Sequence, residues 1–188
     1  MPDLSHLDNK LTTSLLLNAL SFKAGSANPK ARALWTNFVR LMDQMVMEYN
    51  RGREALKAYA DSADQDLGSL FRATAHMETC LISLRRAVRF VRRIRLKRDC
   101  PHCGDLTVTS DGVVQRLRRF CEALDRTEER VLARDAAESA EMLLLSGDGL
   151  HASGNEIRYE EIAGWIEEMN TLAVALTAYD DLEDPHTL

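Results

Sequence analysis

"EMLLLSGDGLHASGNEIRYEE", residues 141–161, breaks a pattern that runs through the rest of the chain. Its short apolar runs are split by Gly147-Asp148-Gly149 and by Gly154-Asn155, residue types that supply the left-handed backbone angles of tight hairpin turns. The stretch predicts a β meander of two or three strands, too small to stand as a domain. After it, Ile162, Trp165, Ile166, Met169, Leu172, Ala173 and Leu176 recur at helical spacing, so a final helix is expected over about 160–180. The expected fold class is therefore mainly α: an elongated bundle of about five helices with a small β hairpin or meander before the C-terminal helix.

Upstream of the meander, helical periodicity dominates. "DCPHCGDLTVTSDG" (99–112) is the clearest break. It separates a helix over about 65–98 from one over about 112–140, the first capped from "DSADQD" and the second by Ser110 or Asp111. A further helix over about 30–60 has Leu34, Phe38, Leu41, Met42, Met45 and Tyr49 on one face, with Arg51-Gly52-Arg53 as a place where it can bend. Another helix, over 4–23, ends near "KAGSANP", where Gly25 and Pro29 supply stop and restart signals. The chain reads as one domain over 1–188, with a core over 65–180 and the helices of 1–60 packed upon it. The group Met42, Met45 and Met47 reads as filler of core or interface.

At 45% apolar and 28% charged residues, the composition fits a globular protein and excludes a disordered one. The opening "MPDLSHLDNK" lacks the basic region of a signal peptide. "LTTSLLLNALSF" is too short to cross a bilayer. Four cysteines in 188 residues make no disulfide framework, so a cytoplasmic location with no membrane partner is expected.

Charge is unevenly spread. Residues 85–119 carry eleven Lys/Arg against three Asp in a chain of net charge −5. In "LRRAVRFVRRIRLKR" (84–98), Arg85, Arg86, Arg89, Arg92, Arg93 and Lys97 fall within one arc of about 140°. Leu84, Ala87, Val88, Phe90, Val91 and Ile94 take the opposite side. Like charges four residues apart repel by a few tenths of a kcal/mol each. Such a stripe calls for compensation, either carboxylates from a neighbouring helix or a polyanion such as nucleic-acid phosphate. No aromatic stands among the basic positions, so aromatic base stacking is not expected from this face.

Cys100-Pro-His-Cys103 is one zinc half-site, with His102 as a possible extra ligand. No second C-x2-C accompanies it. Zinc at Cys100, His102 and Cys103 would have to be shared between two subunits, and a plain helix–helix turn explains the thiols as well. No other cofactor is expected, since no Walker loop, dinucleotide fingerprint, HExxH or nucleophile elbow occurs.

In the next helix, which contains "RFCEALDRTEERVL" (119–132), Val113, Leu117, Phe120, Cys121, Leu124 and Val131 line one face and Arg119, Glu122, Arg126 and Arg130 lie on the other. If it runs antiparallel to the basic helix, the rise of about 1.5 Å per residue sets Arg119 level with Arg92 and Arg126 level with Arg85. Three segments in this order, "HMETCLISLRRAVRF" (76–90), "RFCEALDRTEERVL" (119–132) and "MLLLSGDGLHASGNEIRYEEIAGWI" (142–166), resemble the HEPN superfamily over about residues 65–180. The resemblance implies a helical, often dimeric protein of bacterial phage-defence, toxin–antitoxin or RNA-processing systems. Active members are metal-independent ribonucleases with an Arg-x4–6-His motif at the dimer seam.

Carried onto this chain, Arg119 takes the place of the motif arginine, which would stabilise charge developing at phosphate. Arg126, or Asp125 with a one-residue slip, stands where the histidine belongs. Arginine stays protonated near neutral pH and an ordinary aspartate is too acidic to serve as the base. The resemblance thus implies a degenerate member that holds RNA or nucleotide phosphates through Arg85, Arg89, Arg92, Arg93, Arg119 and Arg126, with a homodimer and a cognate antitoxin or other protein as partners. Two alternatives stay open. One is an interaction module whose basic stripe docks an acidic protein; the other is an active ribonuclease with its base elsewhere, Arg95 and His102 having the permitted spacing.

Overall fold

The computed structural model describes residues 1–7, 11, 29–63, 66–97, 106–125, 144–152 and 154–177. Among these it is mainly helical, with helices α1 (Pro29–Asp61), α2 (Leu67–Lys97), α3 (Asp111–Asp125) and α4 (Tyr159–Thr177). A three-stranded antiparallel sheet, β1 (Leu144–Leu145), β2 (Gly149–Ala152) and β3 (Asn155–Arg158), precedes α4 in the order β1-β2-β3. No helix of the described residues is long and apolar enough to cross a membrane.

Helix α1 opens on Pro29, whose fixed φ and missing N–H suit the first helical position. Its face of Phe38, Leu41, Met42, Met45 and Tyr49 is buried, as the spacing predicts, while Met47 lies partly in solvent. Asp66 then starts α2 as an N-cap: its carboxylate accepts hydrogen bonds from the Gly68 and Ser69 amides at 3.0 and 3.2 Å, satisfying donors that the helix itself cannot. Along the α1–α2 pair Phe38 stacks on Phe90 at 5.2 Å between ring centroids. Glu48 meets His76, and Gly52 meets Met77. From Phe38 to Glu48 the partner number falls from 90 to 76, so the two helices are antiparallel.

Gly52 does not break α1, which continues to Asp61. Its role is spatial: a Cβ there would lie 2.9 Å from Met77 Sδ and 3.2 Å from Met77 Cγ. The missing side chain lets α2 press against α1. The helix expected over 4–23 begins instead as a 3-10 turn at Ser5–Leu7; of the remainder only Leu11 is described, and it is helical. Leu4, Leu7 and Leu11 are buried, and Asp3 pairs with Arg53 at 2.9 Å, so the N-terminus packs on the bundle.

Helix α3 follows a 3-10 turn at Thr107–Thr109, which α4 holds: the Val108 amide donates to Glu168 Oε2 at 3.0 Å. Val114 N–H closes the first helical bond onto Ser110 O. Leu117, Phe120 and Cys121 are buried on the face that the sequence assigns to the core. Residues 126–140 of the helix expected over about 112–140 lie outside the described residues.

In the sheet, Leu150 pairs with Ile157 and His151 with Glu156. Leu150, Ala152 and Ile157 point into the core. Gly149 has no room for a Cβ, which would stand 2.8 Å from Ile157 O, and Gly154 turns the second hairpin at φ 72°. Tyr159 ties these parts together. Its amide donates to Asp148 O at 2.9 Å, its hydroxyl donates to Ser146 O at 3.2 Å, and its carbonyl accepts from the Tyr49 hydroxyl at 3.4 Å.

Candidate phosphate-binding site

Helices α2 and α3 run antiparallel, since Arg92 Nη2 reaches Asp111 Oδ1 at 2.9 Å while Arg85 Nη1 approaches Asp125 Oδ2 at 4.0 Å. Arg92 thus meets the first residue of α3, not the level of Arg119, which lies two turns further along, roughly 12 Å down the axis. Helix α2 overshoots the start of α3, whereas the level estimate treats the turn at 99–112 as symmetric.

Between the two helices lies an open groove of about 390 Å³ lined by Arg85, Val88, Arg89, Val114, Leu117, Arg118 and Glu122. Val88 and Leu117 are almost fully buried, and Val114 with the charged side chains makes up its open surface. On the α3 side the wall is Arg118 rather than Arg119. Arg118 Nε donates to Glu122 Oε1 at 2.6 Å, an i,i+4 pair, and this bond raises the affinity of Arg118 for its proton. Arg119 is exposed and outside the groove.

The six arginines expected to hold phosphate therefore stand differently. Arg85 and Arg89 line the groove. Arg92 is held by Asp111. Arg93 and Arg119 face solvent, as does Arg86. Arg86, Arg89, Arg93 and Arg119 form no ion pair with any described residue. Arg126 lies outside the described residues, as do Cys100, His102 and Cys103; of Arg95 only the backbone is described.

Described histidines stand away from the groove lining. His76 Nδ1 donates to Glu48 Oε2 at 2.6 Å across α1 and α2, and His151 Nε2 lies 3.0 Å from Ser146 Oγ on the sheet. The one carboxylate in the lining, Glu122, is clasped by Arg118. Among the described residues the groove can attract anions, and it offers no free base.

Two other features escape a linear reading. Arg116 forms a bidentate pair with Glu161 at 2.9 and 2.8 Å and stands 5.7 Å from the centre of the Trp165 ring. Glu161 also accepts from the Arg158 amide at 3.1 Å, capping α4 in the manner of a capping box. Arg116 and Glu161 are 45 residues apart, so no local spacing announces their pairing. The other is a group of Asp148, His151 and Glu156 on the sheet, whose donor atoms lie within 4.8 Å of one another. Ser146 Oγ already hydrogen-bonds Asp148 at 2.8 Å, and Arg158 lies 3.8 Å from Glu156, which accounts for the cluster without an ion. The free thiols of Cys80 and Cys121 are buried, and burial pushes both toward the neutral form.

Comparison of the chain with protein-family models, with curated proteins and with solved structures finds no match.

Proposed function

We propose that this chain is a HEPN-like helical protein of bacterial defence or toxin–antitoxin type that binds RNA or nucleotide phosphates along the arginine face of α2 without cleaving them. One observation carries the reading. Arg86, Arg89 and Arg93 fall within an arc of about 60°, all three are exposed, and none engages a described carboxylate, whereas Arg92, Arg116 and Arg118 each do. Three uncompensated guanidinium groups within two turns repel one another, and phosphate oxygens relieve that repulsion while releasing counterions. The absence of a free base among the described groove residues supports binding over cleavage. A homodimer, with the polar face of α3 near its seam, belongs to the same reading, and light scattering measures it.

Filter binding of labelled RNA across a salt series tests the proposal. Affinity should fall steeply with salt, and replacing Arg86, Arg89 and Arg93 together by Ala should lower the log–log slope by about 2, at roughly 0.7 per phosphate contact on a single strand. Binding that ignores salt overturns it. A cleavage assay of the same RNA, with Arg119→Ala and His102→Ala in parallel, checks the second half: turnover that either change removes shows an active ribonuclease instead.

A further inference from the structure

We infer that Asp148, His151 and Glu156, on the small sheet, form a site for one divalent transition-metal ion of the zinc class. The inference stands apart from the phosphate-binding reading. Each residue offers one ligand atom, and the imidazole nitrogen and two carboxylate oxygens lie within 4.8 Å of one another. Backbone register sets this spacing. His151 on β2 and Glu156 on β3 are paired in the sheet, so both side chains leave one face, the face opposite buried Leu150 and Ile157. Asp148, in the link from β1 to β2, is fixed at its carbonyl by the Tyr159 amide at 2.9 Å and at its carboxylate by the Ser146 hydroxyl at 2.8 Å. Ser146 Oγ also lies 3.0 Å from His151 Nε2. These contacts gather the donors before any ion arrives, so binding has little left to order.

The donor set selects the ion. One nitrogen and two carboxylates match zinc, whose open sites take three protein ligands and leave a fourth position to water. Calcium and magnesium favour shells of six or more oxygens. Zinc bonds of about 2.0–2.2 Å put tetrahedral ligand atoms roughly 3.4 Å apart, so side-chain rotation has to draw the donors together. Asp148 and Glu156 are exposed and His151 is half-buried, which leaves their side chains room to turn. Arg158 competes for Glu156 only from 3.8 Å, in an exposed pair of the kind that contributes little. Once bound, the ion would tie the β1–β2 link to β3 and hold the hairpin shut.

Calorimetric titration of the full chain with zinc chloride tests the site, in a background of Cys100→Ser, His102→Ala and Cys103→Ser that removes the other zinc candidate. One equivalent of zinc is expected to bind at least about tenfold more tightly than calcium and to raise the melting temperature. Cobalt chloride in its place should give the visible absorption of an ion held by imidazole and carboxylates. His151→Ala and Glu156→Gln should each weaken zinc binding at least about tenfold and cancel the thermal shift. Melting of the metal-free variants verifies that they are folded, and Glu156→Gln keeps the shape of the side chain. Zinc affinity unchanged in either variant overturns the site, as does the absence of zinc binding at millimolar concentration. Calcium bound as tightly as zinc overturns the class of ion.

Discussion

The imidazole Nδ1 of His76 donates to Glu48 Oε2 at 2.6 Å, pinning α2 to α1 through a carboxylate that is only 9% exposed. Arg51 stands 3.6 Å from the other oxygen. Removing the imidazole leaves a buried acceptor short of a donor, which costs about 1–3 kcal/mol. His76→Ala should therefore lower unfolding free energy by that amount in urea, whereas Glu48→Leu, which removes the charge as well, should cost less. Equal losses in the two variants would contradict the assignment.

A second prediction concerns pH. The Arg116 bond to Glu161 holds that carboxyl below its ordinary 4.5, and hydrogen bonds from Ser69 and Ser146 do the same for Asp66 and Asp148, ordinarily 3.8. A carboxyl more acidic in the folded chain stabilises it above the unfolded value and loses that contribution as pH falls through the folded one. Melting temperature should hold level above about pH 5 and drop below the ordinary carboxylate range near 4. Glu161→Gln should make the drop shallower. Glu78 works the other way: burial raises its pKa, so Glu78→Gln should stabilise the chain at neutral pH and change nothing in acid.

Gly52→Ala provides a test of close packing. Alanine improves helix propensity by about 1 kcal/mol, yet its Cβ would stand 2.9 Å from Met77 Sδ. Met77 is fully buried, and overpacking costs about 1–3 kcal/mol. Net destabilisation is expected, and it should turn into a gain in a Met77→Ala background, where the space exists. Additive effects of the two changes would show that the helices do not meet there.

Thiol labelling gives a fourth prediction. Cys80 and Cys121 are buried, and burial disfavours their thiolates. Because the thiolate is the nucleophile, both should resist N-ethylmaleimide in the folded chain and react after denaturation, as peptide mass spectrometry reads. Prompt labelling of Cys121 would mean that α3 does not pack on α2 as described.

Helical spacing alone located the buried faces of α1, α3 and α4, and Gly-Asp-Gly located the first hairpin turn, because both signals are local. The wall of the groove was legible in part. On α3 the buried face centres on Leu117, Phe120 and Cys121. Arg118 flanks that face, and Arg119 lies nearly opposite it at 100° per residue. A groove beside a packed face is lined by flanking residues, so the helical wheel favours Arg118, whereas the motif spacing points to Arg119. Gly52 reads as a hinge until the neighbour it faces is known. Arg116, Glu161 and Trp165 lie on different helices, and only the tertiary arrangement joins them.

Tyr159 reaches three ways, to Ser146, Asp148 and Tyr49, and this makes the small sheet something other than an ornament on the bundle. Peeling away the hairpin would strip two hydrogen bonds from Tyr159, the first residue of α4, whose carbonyl in turn holds the hydroxyl of the buried Tyr49 of α1. Amides of β2 and of the opening turn of α4 should then exchange with deuterium as one group, at one opening free energy. The hairpin is thereby a latch on the terminal helix, released together with it.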